Sequence, residues 1–191
     1  MAIEAKRFEF GNLMSDMIRS NLSPLNPELF QAINESRQRE IEQIEQALAE
    51  NHIVLITGSG RFGKTALSRF LLSENHLSKA KLKRDVAWVP SGGFLYIDTG
   101  GATLEDFLPG SNKNLSVCRV CLDEALTLGP LSITPVIGTI INQAQKIQGF
   151  SKIELIFNGV VGSEADFKRV VKTFPDNVKF TRVNLRPYLM I

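Results

Sequence analysis

Lys64 and Thr65 close the segment Gly58-Ser59-Gly60-Arg61-Phe62-Gly63-Lys64-Thr65, which fits G-x-x-x-x-G-K-[ST]. Residues of these types at this spacing suit one chemistry, the cradling of nucleotide phosphates. Gly58 and Gly63 let the backbone curl until successive N–H groups converge on phosphate oxygens. Gly60, Ser59, Arg61 and Phe62 fill the loop between them. Lys64 supplies a point charge at the β- and γ-phosphates, and the Thr65 hydroxyl is a ligand for Mg²⁺. A helix starting near Gly63, with Ala66 in its first turn, turns its positive end toward the same anion.

A second constellation lies further along, at Val120-Cys121-Leu122-Asp123-Glu124. An acid at the C-terminal end of a buried strand stands on the edge where open α/β sheets bind ligands. Asp123 there suits a shared role with Thr65 in holding the metal. Glu124 follows and is placed to accept a proton from an attacking water. Apolar residues ending in Asp-Glu also begin solvated helices, so the preceding loop is what gives the pair its meaning.

The elements that must position these residues are legible as alternating patterns. Residues 1–25 show no sustained period and read as a loose arm. Asn26-Pro27-Glu28 is a helix start, with a cap, a proline at the first helical position and an acid near the positive end. That helix runs to about Glu50 on an apolar stripe of Leu29, Phe30, Ile33, Ile41, Ile44 and Leu48, and a break near residues 34–36 is allowed. From Ile53 strands and helices alternate. Strand 53–57 leads to a helix at 64–73. Val86–Val89, a turn at 90–93 and the run Phe94–Asp98 follow, then a short helix at 103–108. After strand 117–122 come a helix at 135–148, strand 153–157, a helix at 163–173 and a last strand at 178–183. Such alternation predicts an α/β fold, one mostly parallel five-stranded sheet between helices. The expected division is an N-terminal arm and amphipathic helix over 1–50 and a nucleotide-binding domain over 51–191.

Composition excludes several classes. The net charge of +2 gives no global footprint for nucleic acid or an anionic membrane. No apolar run approaches the roughly 20 residues of a membrane span, and the N-terminus lacks a signal peptide's apolar core. Two cysteines without a targeting segment fit a reducing compartment, so the expected location is cytoplasmic. Cys118 and Cys121 form a C-x-x-C, but inside a strand pattern residues three apart face opposite sides. With only His52 and His76 to add, no four-ligand metal site closes, and both thiols are expected in the core.

With both motifs in hand, the chain resembles the P-loop ATPases that use an additional catalytic glutamate, the division holding the AAA+, STAND, RecA-like and packaging or conjugation ATPases. The likeness covers about residues 35–185. It implies a strand between the P-loop strand and the strand ending at Asp123, a place for which Phe94–Asp98 is available. It implies that Asn158, at the tip of the next strand, senses the γ-phosphate. Arg37-Gln38-Arg39-Glu40 before the loop is similar to the R-x-x-E helix of the STAND and AAA-like branch, and Val183–Leu189 resembles the exit toward that branch's helical lid. The sequence stops at Ile191, so the resemblance implies either a piece of a longer ATPase or a lidless type. Tyr96-Ile97-Asp98 is similar to the second strand of ParA-like partition ATPases, but Ser59 and Gly60 stand where those carry a lysine.

The implied function is Mg²⁺-dependent binding and hydrolysis of ATP by a STAND- or AAA-like switch or motor subunit. The implied partners are further copies of the chain or another protein. Catalytic arginines of this division come from a neighbour, and Arg119, Arg169, Arg182 and Arg186 are candidates. One alternative is a nucleic-acid translocating, packaging or conjugation ATPase, for which Lys79, Lys81, Lys83 and Arg84 would be the contact surface. Another is a nucleotide-binding scaffold without turnover. A small-molecule kinase is disfavoured because Thr127–Ile147, where an arginine-rich lid would lie, has no arginine. ATP is favoured over GTP because Asn112-Lys113-Asn114-Leu115 fails N-K-x-D at its last position.

Overall fold

The helix expected from Asn26 forms, and it breaks. Asn26 Oδ1 accepts from the Glu28 N–H at 2.8 Å, and Pro27 opens α1 (Pro27–Ser36). The chain leaves helical geometry at Arg37 (φ −123°, ψ 18°) and resumes as α2 (Gln38–Ala49). The break therefore falls one residue past the allowed stretch. In the computed structural model, residues 22–98, 100–109, 116–127 and 134–187 are described. Most of the expected loose arm (1–21), the 112–115 stretch and part of Thr127–Ile147 lie outside them.

Five strands follow: β1 (Ile53–Thr57), β2 (Asp85–Val89), β3 (Ser116–Leu122), β4 (Phe150–Asn158) and β5 (Phe180–Asn184). They form one sheet in the order β2-β3-β4-β1-β5, every neighbouring pair parallel. All five residues of β1 are buried, as befits a strand covered on both faces. The connections carry α3 (Lys64–Leu72), α4 (Glu74–Lys79), α5 (Ser91–Asp98), a 3₁₀ turn (Leu104–Phe107), α6 (Thr134–Ala144) and α7 (Glu164–Val171).

Phe94–Asp98 is not a strand. It belongs to α5, and the strand between β1 and β3 in sequence is β2. A five-residue apolar run does not by itself distinguish strand from helix. The pairing does. Asp85 lies opposite Cys118 and Val89 opposite Leu122, so the chain must return along the sheet before β3 can begin, and α5 is part of that return.

The sheet separates two cores. Leu55, Cys118, Val120 and Phe157 pack on one side with Ile137, Ile140 and Ile141 of α6. On the other, Val54, Ile56, Cys121 and Ile156 pack with Phe70 and Leu71 of α3 and with Ile33, Ile41, Ile44 and Leu48 of α1 and α2. The cysteines thus face opposite sides and are buried and unpaired. Burial, with Asp85 and Glu154 nearby, pushes the Cys118 thiol up to about 12, and burial raises Cys121 as well. Among the described residues no helix is long and apolar enough to cross a membrane, and no cluster of three metal-ligating side chains occurs.

The second core encloses a charged cluster. Arg119, fully buried on β3, donates to both carboxylate oxygens of Glu45 (2.7 and 2.8 Å), to Glu154 on β4 (2.8 Å) and to Leu71 O (3.2 Å). His76 Nε2 lies 2.8 Å from Glu45, and Arg84 Nε donates to Glu154 at 3.1 Å. This ties α2, the end of α3, α4, β3 and β4 together.

Candidate functional site

The loop expected to hold phosphate leaves β1 at its C-terminal end. Gly58 has φ +148°, and a Cβ there would stand 3.0 Å from the Leu185 carbonyl oxygen. The Leu185 N–H donates to Thr57 O at 2.8 Å, so the entrance of the loop is fastened to the exit of β5. Arg61 takes a left-handed conformation (φ 65°), uncommon for a residue with a side chain. Gly63 (φ 81°) is the N-cap of α3, and its carbonyl accepts from Leu67 N–H at 2.8 Å. Lys64 is 5% exposed and its Nζ donates to Ser59 O at 2.9 Å, which holds the ammonium within the loop's own span. Ser59, Gly60 and Arg61 are exposed, and Phe62 and Ala66 are half-buried against the second core.

Asp123 arrives from the end of β3. The Thr65 hydroxyl donates to its Oδ1 at 3.1 Å, joining residues 58 positions apart. Burial pushes the Asp123 carboxyl above the usual carboxylate range, opposed by hydrogen bonds from Asn158 and Thr65. Glu124 is left-handed (φ 57°), and its N–H donates to Asn158 Oδ1 at 2.8 Å. Its carboxylate accepts from the Thr127 hydroxyl, which in turn accepts from the Val160 N–H at 3.0 Å.

Asn158, expected at the γ-phosphate, is fully buried, and both ends of its amide are engaged within the protein. Besides accepting from Glu124 it donates to Ser68 Oγ on α3 at 2.9 Å. The Leu126 N–H donates to its carbonyl at 3.1 Å. The next residue must be small, because a Cβ on Gly159 would stand 2.7 Å from the backbone nitrogens of Leu126 and Thr127. The turns after β3 and β4 are therefore interlocked through Asn158–Val160, and Asn158 also braces the helix that follows the loop.

The residues present fit MgATP. The loop backbone is curled where only glycine is comfortable, one buried ammonium stands at its centre, and a hydroxyl and a carboxylate, hard oxygen donors, meet beside it. A separate cavity of about 570 Å³ lies at the opposite, N-terminal edge of the strands among Ile53, Ile141, Phe150 and Val178. It is far from this constellation, and ligands of open α/β sheets bind at the carboxyl edge.

The four candidate arginines divide. Arg119 is buried in the charged cluster and cannot reach a neighbouring molecule. Arg182 lies over the Phe167 ring at 3.9 Å and bonds Glu164 (2.7 Å) and Thr57 (3.1 Å). Arg169 and Arg186 are exposed. Of the basic run, Lys79 bonds Asn34 at 3.4 Å, Arg84 is committed to Glu154, and Lys81 and Lys83 are exposed. Sequence reasoning missed Ser68 and Thr127. A lone serine in a helix and a lone threonine after an acidic pair carry no signal by themselves. The motif around Arg37 carries no sign of its contacts with Phe62 and Arg186.

No protein-family model matches the chain, and no curated protein matches it in sequence. Solved structures do match in fold. Domain III of the Thermotoga maritima replication initiation protein DnaA superposes with a TM-score of 0.50 at 17% identity, over 86% of this chain and 70% of that one. AMPPCP-bound DnaA from Aquifex aeolicus matches at 16% identity and TM-score 0.47, over 85% of this chain and 51% of the other. A DNA replication initiation factor matches at 17% and 0.44, over 80% and 46%. The chain spans about half the length of these last two. With the strand order above, the chain shares the α/β fold of that DnaA domain.

Proposed function

We propose that this chain binds MgATP at the 58–65 loop and hydrolyses it, using the nucleotide state as a switch toward a partner or further copies of itself. One observation carries the reading: Thr65 and Asp123, distant in sequence, meet at 3.1 Å beside the buried Lys64. Gly58, Ser59, Gly60, Arg61, Phe62, Gly63 and Ala66 form or flank the cradle, and Lys64 draws the β- and γ-phosphates into it. Thr65 and Asp123 hold the metal, which when bound neutralises phosphate charge. Glu124 orients the attacking water and takes its proton. Its left-handed backbone aims the carboxylate, the Thr127 hydroxyl restrains it, and Asn158 fixes the peptide on which it stands. We assign Asn158 this positioning role ahead of direct contact with phosphate.

An arginine supplied by a neighbouring molecule would activate the site, and the exposed Arg169 and Arg186 are the candidates free to play that part toward another copy. The test is MgATP turnover across a range of protein concentrations, beside Glu124→Gln. Turnover should rise faster than linearly and fall by about a hundredfold or more in the variant. ATP should still raise the melting temperature of the variant. Absence of both binding and turnover in the parent chain would overturn the reading.

A further inference from the structure

Arg37 joins the two N-terminal helices to the loop by hydrogen bonds. Arg37 stands at the break between α1 and α2, outside helical geometry, and is 3% exposed. Its guanidinium donates through Nη2 to Phe62 O (3.2 Å) and Arg186 O (2.7 Å), and through Nη1 to Glu40 Oε1 (3.1 Å). One planar cation therefore joins the arm, the phosphate loop and the exit of β5, which is already fastened to the loop's entrance through Leu185 and Thr57.

We propose that Arg37 is a positioning residue for the phosphate loop, so that the N-terminal helices set the affinity of the site for nucleotide. The proposal rests on the MgATP reading of that loop. The reasoning is one of peptide geometry. The Phe62 carbonyl and the Gly63 N–H belong to one planar trans unit, in which the two groups point in opposite directions. A charge holding the carbonyl toward the arm holds that N–H away from it, on the side of the loop where Lys64 begins. Charge-assisted bonds of this kind are about twice as strong as neutral ones. The fork matters as well as the charge, because two carbonyls and a carboxylate are met by nitrogens in fixed relative positions. By linkage, whatever moves α1 and α2 alters nucleotide affinity, and bound nucleotide resists that movement.

The test compares Arg37→Lys and Arg37→Met with Arg39→Lys, a change at an exposed site on the same helix. The probes are MgATP binding by titration calorimetry and amide hydrogen exchange of the nucleotide-free protein. Arg37→Lys should weaken MgATP binding about tenfold, within the usual span of coupling between sites. It should speed exchange at Gly63 and Lys64 and leave β4 and α6 unchanged. Arg39→Lys should match the parent in both. If Arg37→Met does not fold, Arg37→Lys decides. Parent-like affinity and loop exchange in a folded Arg37 variant would overturn the proposal, as would exchange that rises uniformly across the sheet. If the parent chain binds no MgATP, the nucleotide reading fails separately, and loop exchange alone decides the role of Arg37.

Discussion

Two groups of charged side chains share this sheet and have opposite characters. At the carboxyl edge, the Lys64 ammonium donates to Ser59, the Thr65 hydroxyl to Asp123, and the Glu124 carboxylate accepts from Thr127, and all but Lys64 are partly exposed. In the second core, Arg119 meets four acceptor atoms, and both it and Glu154 are buried. Each group contains a cation and carboxylates, so residue type does not separate them. Saturation does. A fully matched cluster in a low-dielectric interior specifies which elements meet and has nothing left to offer a ligand. A cluster at the sheet edge whose bonds are few and replaceable is open to exchange them for phosphate and metal.

The largest effect should follow from breaking the closed cluster. Arg119→Met leaves Glu45 and Glu154 without their shared cation and should cost about 3–5 kcal/mol, read from urea unfolding. Adding Glu45→Leu should recover part of that loss, since a buried pair replaced as a unit is often neutral. A cost below about 1 kcal/mol for the single change would place Arg119 among surface-like pairs and remove the contrast.

A smaller effect of the same cluster appears in acid. Burial works against the Glu45 carboxylate, yet hydrogen bonds from His76 and Arg119 outweigh it and bring its pKa from 4.5 down to about 2. A carboxyl lowered in the folded state contributes stability that is present above 4.5 and lost as pH falls toward 2. The parent should therefore lose about 2 kcal/mol across that window that Glu45→Gln does not lose. Urea midpoints measured from about pH 6 down to about pH 3 would reveal it as convergence of the two curves. Parallel curves would mean that Glu45 is not held by these partners.

The two groups were unequally legible in the sequence. The loop announced itself because its chemistry depends on local spacing: Gly58, Gly63, Lys64 and Thr65 are adjacent in the chain, and Asp123-Glu124 ends an obvious strand. The closed cluster draws Glu45, His76, Arg119 and Glu154 from four elements, and Arg119 looked like any strand arginine, even a candidate for reaching a neighbour. Only the pairing that sets β3 beside β4 and lays α2 across them reveals its partners. The same holds for Thr127 and Ser68, whose roles exist through Val160, Glu124 and Asn158. Phe94–Asp98 failed for a related reason. Its local pattern allowed a strand, and the parallel pairing of β2 with β3 requires a return path there.

The open edge should respond in the opposite sense to a matched change. Burial raises the Asp123 carboxyl, with Thr65 and Asn158 only partly offsetting it, so the anion is less comfortable folded than unfolded. A carboxyl raised in this way costs nothing when protonated in both states, and the cost appears as pH rises through the carboxylate range. Asp123→Asn should therefore stabilise the nucleotide-free chain near neutral pH, read as a higher melting temperature. The gain should fade as the medium is made acid. The same change should weaken the binding of MgATP more than that of ATP without metal, because it removes an oxygen that favours a cation. Melting temperatures over pH, with and without nucleotide and metal, separate the two effects. If Asp123→Asn instead destabilises the free chain as an Arg119 change does, the carboxyl edge is a closed cluster like the one in the core, and the contrast between them fails.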